Sequence, residues 1–214
     1  MTDAPWRSLR QPSSIWMEHL LALPIGVVAA VTVATLWFLV TPLQDITPAM
    51  SLPAFLLWFA GFGAAHELSH ALVHPKAGLS PHSILGFWPS RVSFYANYDG
   101  EMSRNRLVAI LLMPLLTISI VPLLVSAVIQ VSSGRVAFFS AFNFLCGCGD
   151  MLLAGLVLFQ IPATAIVRFK SWRIFWREHD TLAAYKSPEP PAIGACRSAV
   201  AVHVASRRWH SFFR

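Results

Sequence analysis

The sequence predicts an all-α membrane protein, a bundle of about four transmembrane helices, with a short β-strand or hairpin in the long cytoplasmic loop. Three observations lead there. Hydrophobic residues make up 56% of the 214 residues and charged residues only 12%, a balance foreign to soluble domains. The apolar residues fall into four runs, each close to the ~20 residues that cross a bilayer as a helix. The basic residues sit between and behind those runs, so the net charge of +6 reads as a topology signal and argues against nucleic acid as a partner. Three cysteines, Cys146, Cys148 and Cys196, give an odd count and no disulfide framework.

Residues 1–19 form an aromatic and basic flank with Trp6, Arg7, Arg10 and Trp16, suited to a membrane boundary. The first span, about 20–40, reads as scaffold and lacks a convincing cleavage site, so it stays as an anchor. A Pro-containing link leads to the second span, 52–74, which Pro75 ends because proline cannot continue a helix comfortably. The interval 75–106 is the longest polar one; within 90–98, Val92, Phe94 and Ala96 alternate with Ser93, Tyr95 and Asn97, the period of a strand. The third span, 107–130, contains Pro114 and Pro122 and should be kinked. The fourth, 136–161, carries the run Cys146-Gly147-Cys148-Gly149-Asp150. In 166–186, Phe169, Trp172 and Trp176 would share one helical face and Lys170, Arg173 and Arg177 another, predicting a basic aromatic helix lying on an anionic leaflet. Residues 187–214, Pro-rich at first, read as a poorly ordered tail. The charge asymmetry places both termini and the 75–106 loop in the cytoplasm, as for a multi-pass protein of the cell (plasma or inner) membrane.

The second span holds the chemistry. His66-Glu67-Leu68-Ser69-His70 is an HExxH pattern, and on a helix His66 and His70 stack on one face, close enough to share one metal ion, with Glu67 beside them. Ionisable groups inside a membrane span are costly to hold there, which favours a functional reading over chance. A catalytic zinc takes three protein ligands and keeps a fourth position open. His74 is two turns from His66, too far for one ion, and His82 lies in a loop. Asp150 is the better third ligand: it is a carboxylate deep in an apolar run, and with the second and fourth spans parallel it lies level with His66. Gly147 and Gly149 would let this helix approach the small residues Gly61 and Gly63 of the second span. Cys146, one turn from Asp150, is a weaker ligand, and Asn143 could donate hydrogen bonds to substrate or to an oxyanion.

Taken together, His66-Glu67-Leu68-Ser69-His70, the loop ending at Met102-Ser103-Arg104, and Asn143 followed by Gly149-Asp150 resemble the putative zincin peptidase family over about residues 20–165. That is a group of small four-span proteins similar to the site-2 class of intramembrane metalloproteases. The site-2 class usually carries a longer Asn-Pro and Asp-Gly motif around its third ligand, and this chain lacks the proline. The resemblance implies one zinc ion held by His66, His70 and Asp150. It implies Glu67 as general base for peptide hydrolysis, and a membrane protein or peptide as substrate, taken from the lipid bilayer. Strand-like residues 90–98 would hold that substrate extended. Two other classes compete: an inactive metal-binding membrane scaffold, and a small transporter component, which the clustering of polar residues at one depth disfavours.

Overall fold

In the first long helix the buried residues are Glu18, Ala22, Gly26, Ala30, Val33 and Trp37, a single stripe at helical spacing, while Leu20, Leu21, Val28, Val31, Phe38 and Leu39 point outward and are exposed. A stripe of contact with lipid-facing apolar residues on every other side is what a membrane helix shows and a soluble one avoids. The structure is a computed structural model that describes residues 5–41, 51–89, 93–131, 133–170 and 173–178, and the backbone of 202–204. It is predominantly helical, with two small sheets. The helices are α1 (Ile15–Val40), α2 (Leu52–Val73), α3 (Arg104–Pro114), α4 (Val121–Ile129), α5 (Gly134–Cys146) and α6 (Cys148–Gln160). A π-helical stretch, Leu115–Ile120, joins α3 to α4 without a break, so the kink expected at the prolines is a change of helical winding.

Among the described residues two helices, Ile15–Val40 and Arg104–Ile129, each of 26 residues, are long and apolar enough to cross a membrane. A third crossing needs α5 and α6 together, and these bend by 51° about Gly147. The four-span bundle therefore does not follow from length and composition alone. Helix α2 falls outside the set, and it is the helix carrying His66, Glu67, Ser69 and His70. Its ends are well defined. Pro75 stops it, and Gly78 turns the chain back at φ 80, where an added Cβ would lie 2.9 Å from the Ala71 carbonyl oxygen.

Among the described residues seven strands complete the fold. Strands β2 (Ser83–Trp88) and β3 (Ser93–Tyr98) pair as an antiparallel hairpin in the loop expected to hold one; residues 90–92 lie outside those described. Strand β7 (Val202–Val204) pairs in parallel with β2, leaving β3 at the sheet edge. The second sheet runs β1 (Arg7–Ser8), β6 (Arg173–Arg177), β5 (Ile166–Lys170), β4 (Met102–Ser103).

This second sheet corrects the interfacial helix expected over 166–186, of which residues 171–172, with Trp172, and 179–186 are not among those described. Phe169 and Trp176 fit a helical face, but Val167, Phe169, Ile174 and Trp176 fit a period of two equally well, and β-branched and aromatic residues favour strands. Burial decides between the periods. Val167 and Ile174 are fully buried against Leu107, Val157 and Ile161, and Phe169 and Trp176 pack on the same cluster, so four apolar side chains enter one core. The basic residues alternate onto the other face, where the Arg168 guanidinium lies 4.0 Å from the Trp6 ring. Of the tail 187–214, only the three residues of β7 are described.

Candidate metal centre

His66 and His70 lie on successive turns of α2, and both are buried, with ring centroids 5.0 Å apart. Each ring is held through Nδ1. His70 Nδ1 lies 2.7 Å from the Ile110 carbonyl oxygen, which can only accept, so Nδ1 carries the proton. His66 Nδ1 lies 2.8 Å from Asn143 Oδ1. The orientation of that amide is fixed from its other end, where Nδ2 donates to the Pro114 carbonyl at 2.9 Å and to Ser119 Oγ at 3.0 Å. His66 therefore also donates from Nδ1. Both rings then present an Nε2 lone pair inward.

The two lone pairs converge on Asp150. Its Oδ2 lies 3.5 Å from Nε2 of His66 and 3.5 Å from Nε2 of His70. Three acceptors gathered in a buried place repel one another unless something positive lies among them. Protons on both Nε2 atoms would set two neighbouring imidazolium charges against one carboxylate, whereas a single divalent cation satisfies all three groups. Ligands bound tetrahedrally to one zinc at ~2 Å are about 3.4 Å apart, which the observed separations match. The donor set of two imidazoles and a carboxylate suits zinc, and Nδ1–H donation to an oxygen is how metal-binding histidines are usually held.

Glu67 completes the cluster. One ligand atom from each of His66, Glu67 and His70 can be chosen so that all lie within 4.8 Å of one another, so a second ligand triple exists on α2 alone. Glu67 Oε2 also accepts the Ala96 N–H of β3 at 2.8 Å, which turns that oxygen toward the sheet. The carboxylate thus stands between the two imidazoles and β3.

The structure brings together His66, Glu67, His70, Asp150 and Asn143. It leaves the other candidates apart. His74 Nδ1 lies 3.3 Å from Ser83 Oγ and its ring packs on Tyr98, as does that of His82. Cys146 is exposed. Asn143 is completely buried with both ends of its amide occupied, so the substrate or oxyanion contact expected of it is not open to it in this geometry. The close packing expected between Gly147, Gly149 and α2 is also replaced. Gly61 faces open space, and it is Gly26 of α1 that meets the α5–α6 junction, where an added Cβ would lie 2.7 Å from Cys148 Cβ. Three partners were missed in the sequence. The carbonyls of Ile110 and Pro114 carry no side-chain signal, and Ser119 could have been found only as a polar residue within an apolar run.

Comparison with known proteins matches residues 59–166 to the family described as putative zincin peptidase. No curated protein and no solved structure matches the chain. The matched stretch contains His66, Glu67, His70, Asn143 and Asp150 and leaves out α1.

Proposed function

Because the chain belongs to the putative zincin peptidase family, we propose that it is an intramembrane zinc metalloprotease of the site-2 type, cleaving membrane-embedded or membrane-proximal peptides. The observation that carries this reading is the convergence of His66 Nε2, His70 Nε2 and Asp150 Oδ2, with the Glu67 carboxylate beside them. His66, His70 and Asp150 would hold the ion. Zinc in such a site supplies Lewis acidity, polarising a carbonyl and acidifying water toward a pKa of about 7. Glu67 takes a proton from the attacking water and hands it to the leaving amine, which its place next to the ligand face of α2 allows.

Substrate enters unwound, since a helix hides its carbonyls. Among the described residues strand β3 forms the edge of its sheet on the side of α2, and Ala96 N–H points away from β2 toward Glu67. An extended peptide laid along that edge would place its backbone next to the general base. We place the four apolar runs as four spans of a cell membrane, with both termini and the 75–106 loop cytoplasmic. Support comes from the second sheet, which gathers β1, β4, β5 and β6 at one end of the helices, the end richest in Lys and Arg.

The test uses the full chain purified in detergent and returned to liposomes. One zinc per chain and cleavage of a helix-destabilised membrane peptide, abolished by chelation and restored by zinc, is the expected result. Zinc without cleavage of any such peptide would favour a metal-binding scaffold, and no zinc would remove the reading. Labelling of Lys76→Cys and Arg135→Cys from opposite faces checks the topology.

A further inference from the structure

The partners of the two histidines come largely from one stretch of chain with no motif of its own. Residues 110–119 run from the end of α3 into the π-helical stretch. Pro114 has no N–H, so the Ile110 carbonyl four residues earlier loses the donor an α-helix would supply. Nor does the next residue replace it, because the Leu115 N–H bonds the Leu112 carbonyl. The carbonyl thus freed is the one that accepts from His70 Nδ1 at 2.7 Å. The helix then widens at once to π winding, and the Pro114 carbonyl and the Ser119 hydroxyl both accept from Asn143 Nδ2. Asn143 in turn accepts from His66. Thr117 of the same stretch lies 3.0 Å, hydroxyl to hydroxyl, from Ser69 within the HExxH sequence.

The network around Asn143 is closed. Ser119 Oγ donates to the Ser140 carbonyl at 2.7 Å, Ser140 Oγ donates to the Ser119 carbonyl at 3.2 Å, and Trp37 Nε1 of α1 donates to Ser140 Oγ at 2.9 Å. Ser119, Ser140 and Asn143 are fully buried, and Trp37 is 1% exposed. Reversing the Asn143 amide would put its oxygen against the Pro114 carbonyl and its NH2 against the Nδ1–H of His66. A fully satisfied buried network admits one arrangement, and this one holds His66 in the form whose Nε2 is free. A π-turn costs regular helix bonding, and where such turns persist in proteins they often serve a site.

We propose that the proline-started π-helical stretch of the third helix is the positioning element of the metal centre. In this arrangement Pro114 releases the Ile110 carbonyl to orient His70, and Ser119, through Asn143, orients His66. The proposal rests on the zinc reading and concerns which residues make that site bind well. None of the three touches the ion or the substrate; they are positioning residues.

The experiment measures zinc affinity by chelator competition, and melting with and without zinc, for the full-length wild type and for Pro114→Ala, Ser119→Ala and Asn143→Leu. Outer partners of metal-bound histidines typically carry about 10–100-fold in affinity, and Asn143→Leu should lose that much, Ser119→Ala several-fold. Pro114→Ala is the sharper case. It restores a helical N–H that competes for the Ile110 carbonyl, so zinc affinity should fall about tenfold while the metal-free protein melts no lower than wild type. The visible spectrum of the cobalt-substituted protein should shift in each variant. Wild-type zinc affinity in Pro114→Ala and Ser119→Ala, with any loss of stability equal in the metal-free and zinc-loaded forms, would reduce the stretch to packing and overturn the proposal. If the wild type itself binds no zinc, it is the functional reading that has failed.

Discussion

Helices α2 and α3 pack side by side, and both serve the proposed metal centre, in opposite ways. Helix α2 contributes side chains: two imidazoles and a carboxylate at spacings that only helical geometry makes meaningful. Helix α3 and its π-helical continuation contribute mainly backbone, namely the carbonyls of Ile110 and Pro114, with the hydroxyl of Ser119 and, against Ser69, that of Thr117. One helix announces its chemistry and the other does not. Every residue has a carbonyl, so a site assembled from carbonyls leaves as its trace only what frees them, here a proline and a change in winding. Substitutions on α2 should accordingly change what the site does, and substitutions around it how firmly the site is held.

The largest effect on the α2 side should come from Glu67→Gln. A positioned general base typically contributes 10²–10⁴ in rate, so turnover should fall by about 10³, with zinc content unchanged because His66, His70 and Asp150 remain. Single-turnover cleavage beside metal analysis reads both. Loss of zinc in this variant would move Glu67 into the ligand set and favour the triple confined to α2. Asp150→Ala comes next. It leaves two imidazoles, and zinc affinity should drop by more than the roughly 100-fold reached by outer partners, with helix content preserved in circular dichroism. An Asp150→Ala protein that held zinc as wild type does would break the assignment of the third ligand.

These two predictions rest on features legible in the sequence, and the reasons are physical. His66, Glu67 and His70 are local, fixed by a four-residue period. Asp150 was reachable because a buried carboxylate needs a positive partner and the histidines were the available ones. Strand β3 followed from the alternation within 90–98, whereas its partner β2 carried no such pattern. The illegible parts are those in which long-range packing selects between periods. For 166–177 the helical and strand periods both place aromatics on one side, and only the core made by Leu107, Val157 and Ile161 selects the strand. The break at Gly147 was hidden likewise, since apolar composition runs on unchanged through a bend of 51°. Asn143 was visible as a polar residue in a span, but its role turned on Pro114 and Ser119, which lie on another helix.

The second sheet sharpens the contrast, for it holds the fold at one end without touching the metal centre. Ile174 is fully buried in its core, and Ile174→Ala should cost about 2–5 kcal/mol of stability through lost burial and the cavity left behind. Zinc affinity of the folded protein should stay within about twofold of wild type. Denaturation in mixed micelles and chelator competition read the two separately, and a variant that keeps its melting point but loses zinc would show the sheet to be part of the site.

The smallest effect tests whether backbone also serves the substrate side, where β3 is the counterpart of the third helix. Ala96 N–H is turned away from β2 and donates to Glu67 at 2.8 Å. Proline is tolerated on an edge strand when the missing N–H is one that faces away from the sheet, so Ala96→Pro should remove this donor with little change in melting or zinc content. A single neutral hydrogen bond contributes about 0.5–1.5 kcal/mol net, and one to a charged group somewhat more. If the N–H orients Glu67 or receives a substrate carbonyl along the edge, kcat/KM should fall by about three- to thirtyfold. A fall in kcat alone would assign the N–H to the base and a rise in KM alone to the peptide. Unchanged values of both would take β3 out of substrate handling and leave the hairpin as packing against α2.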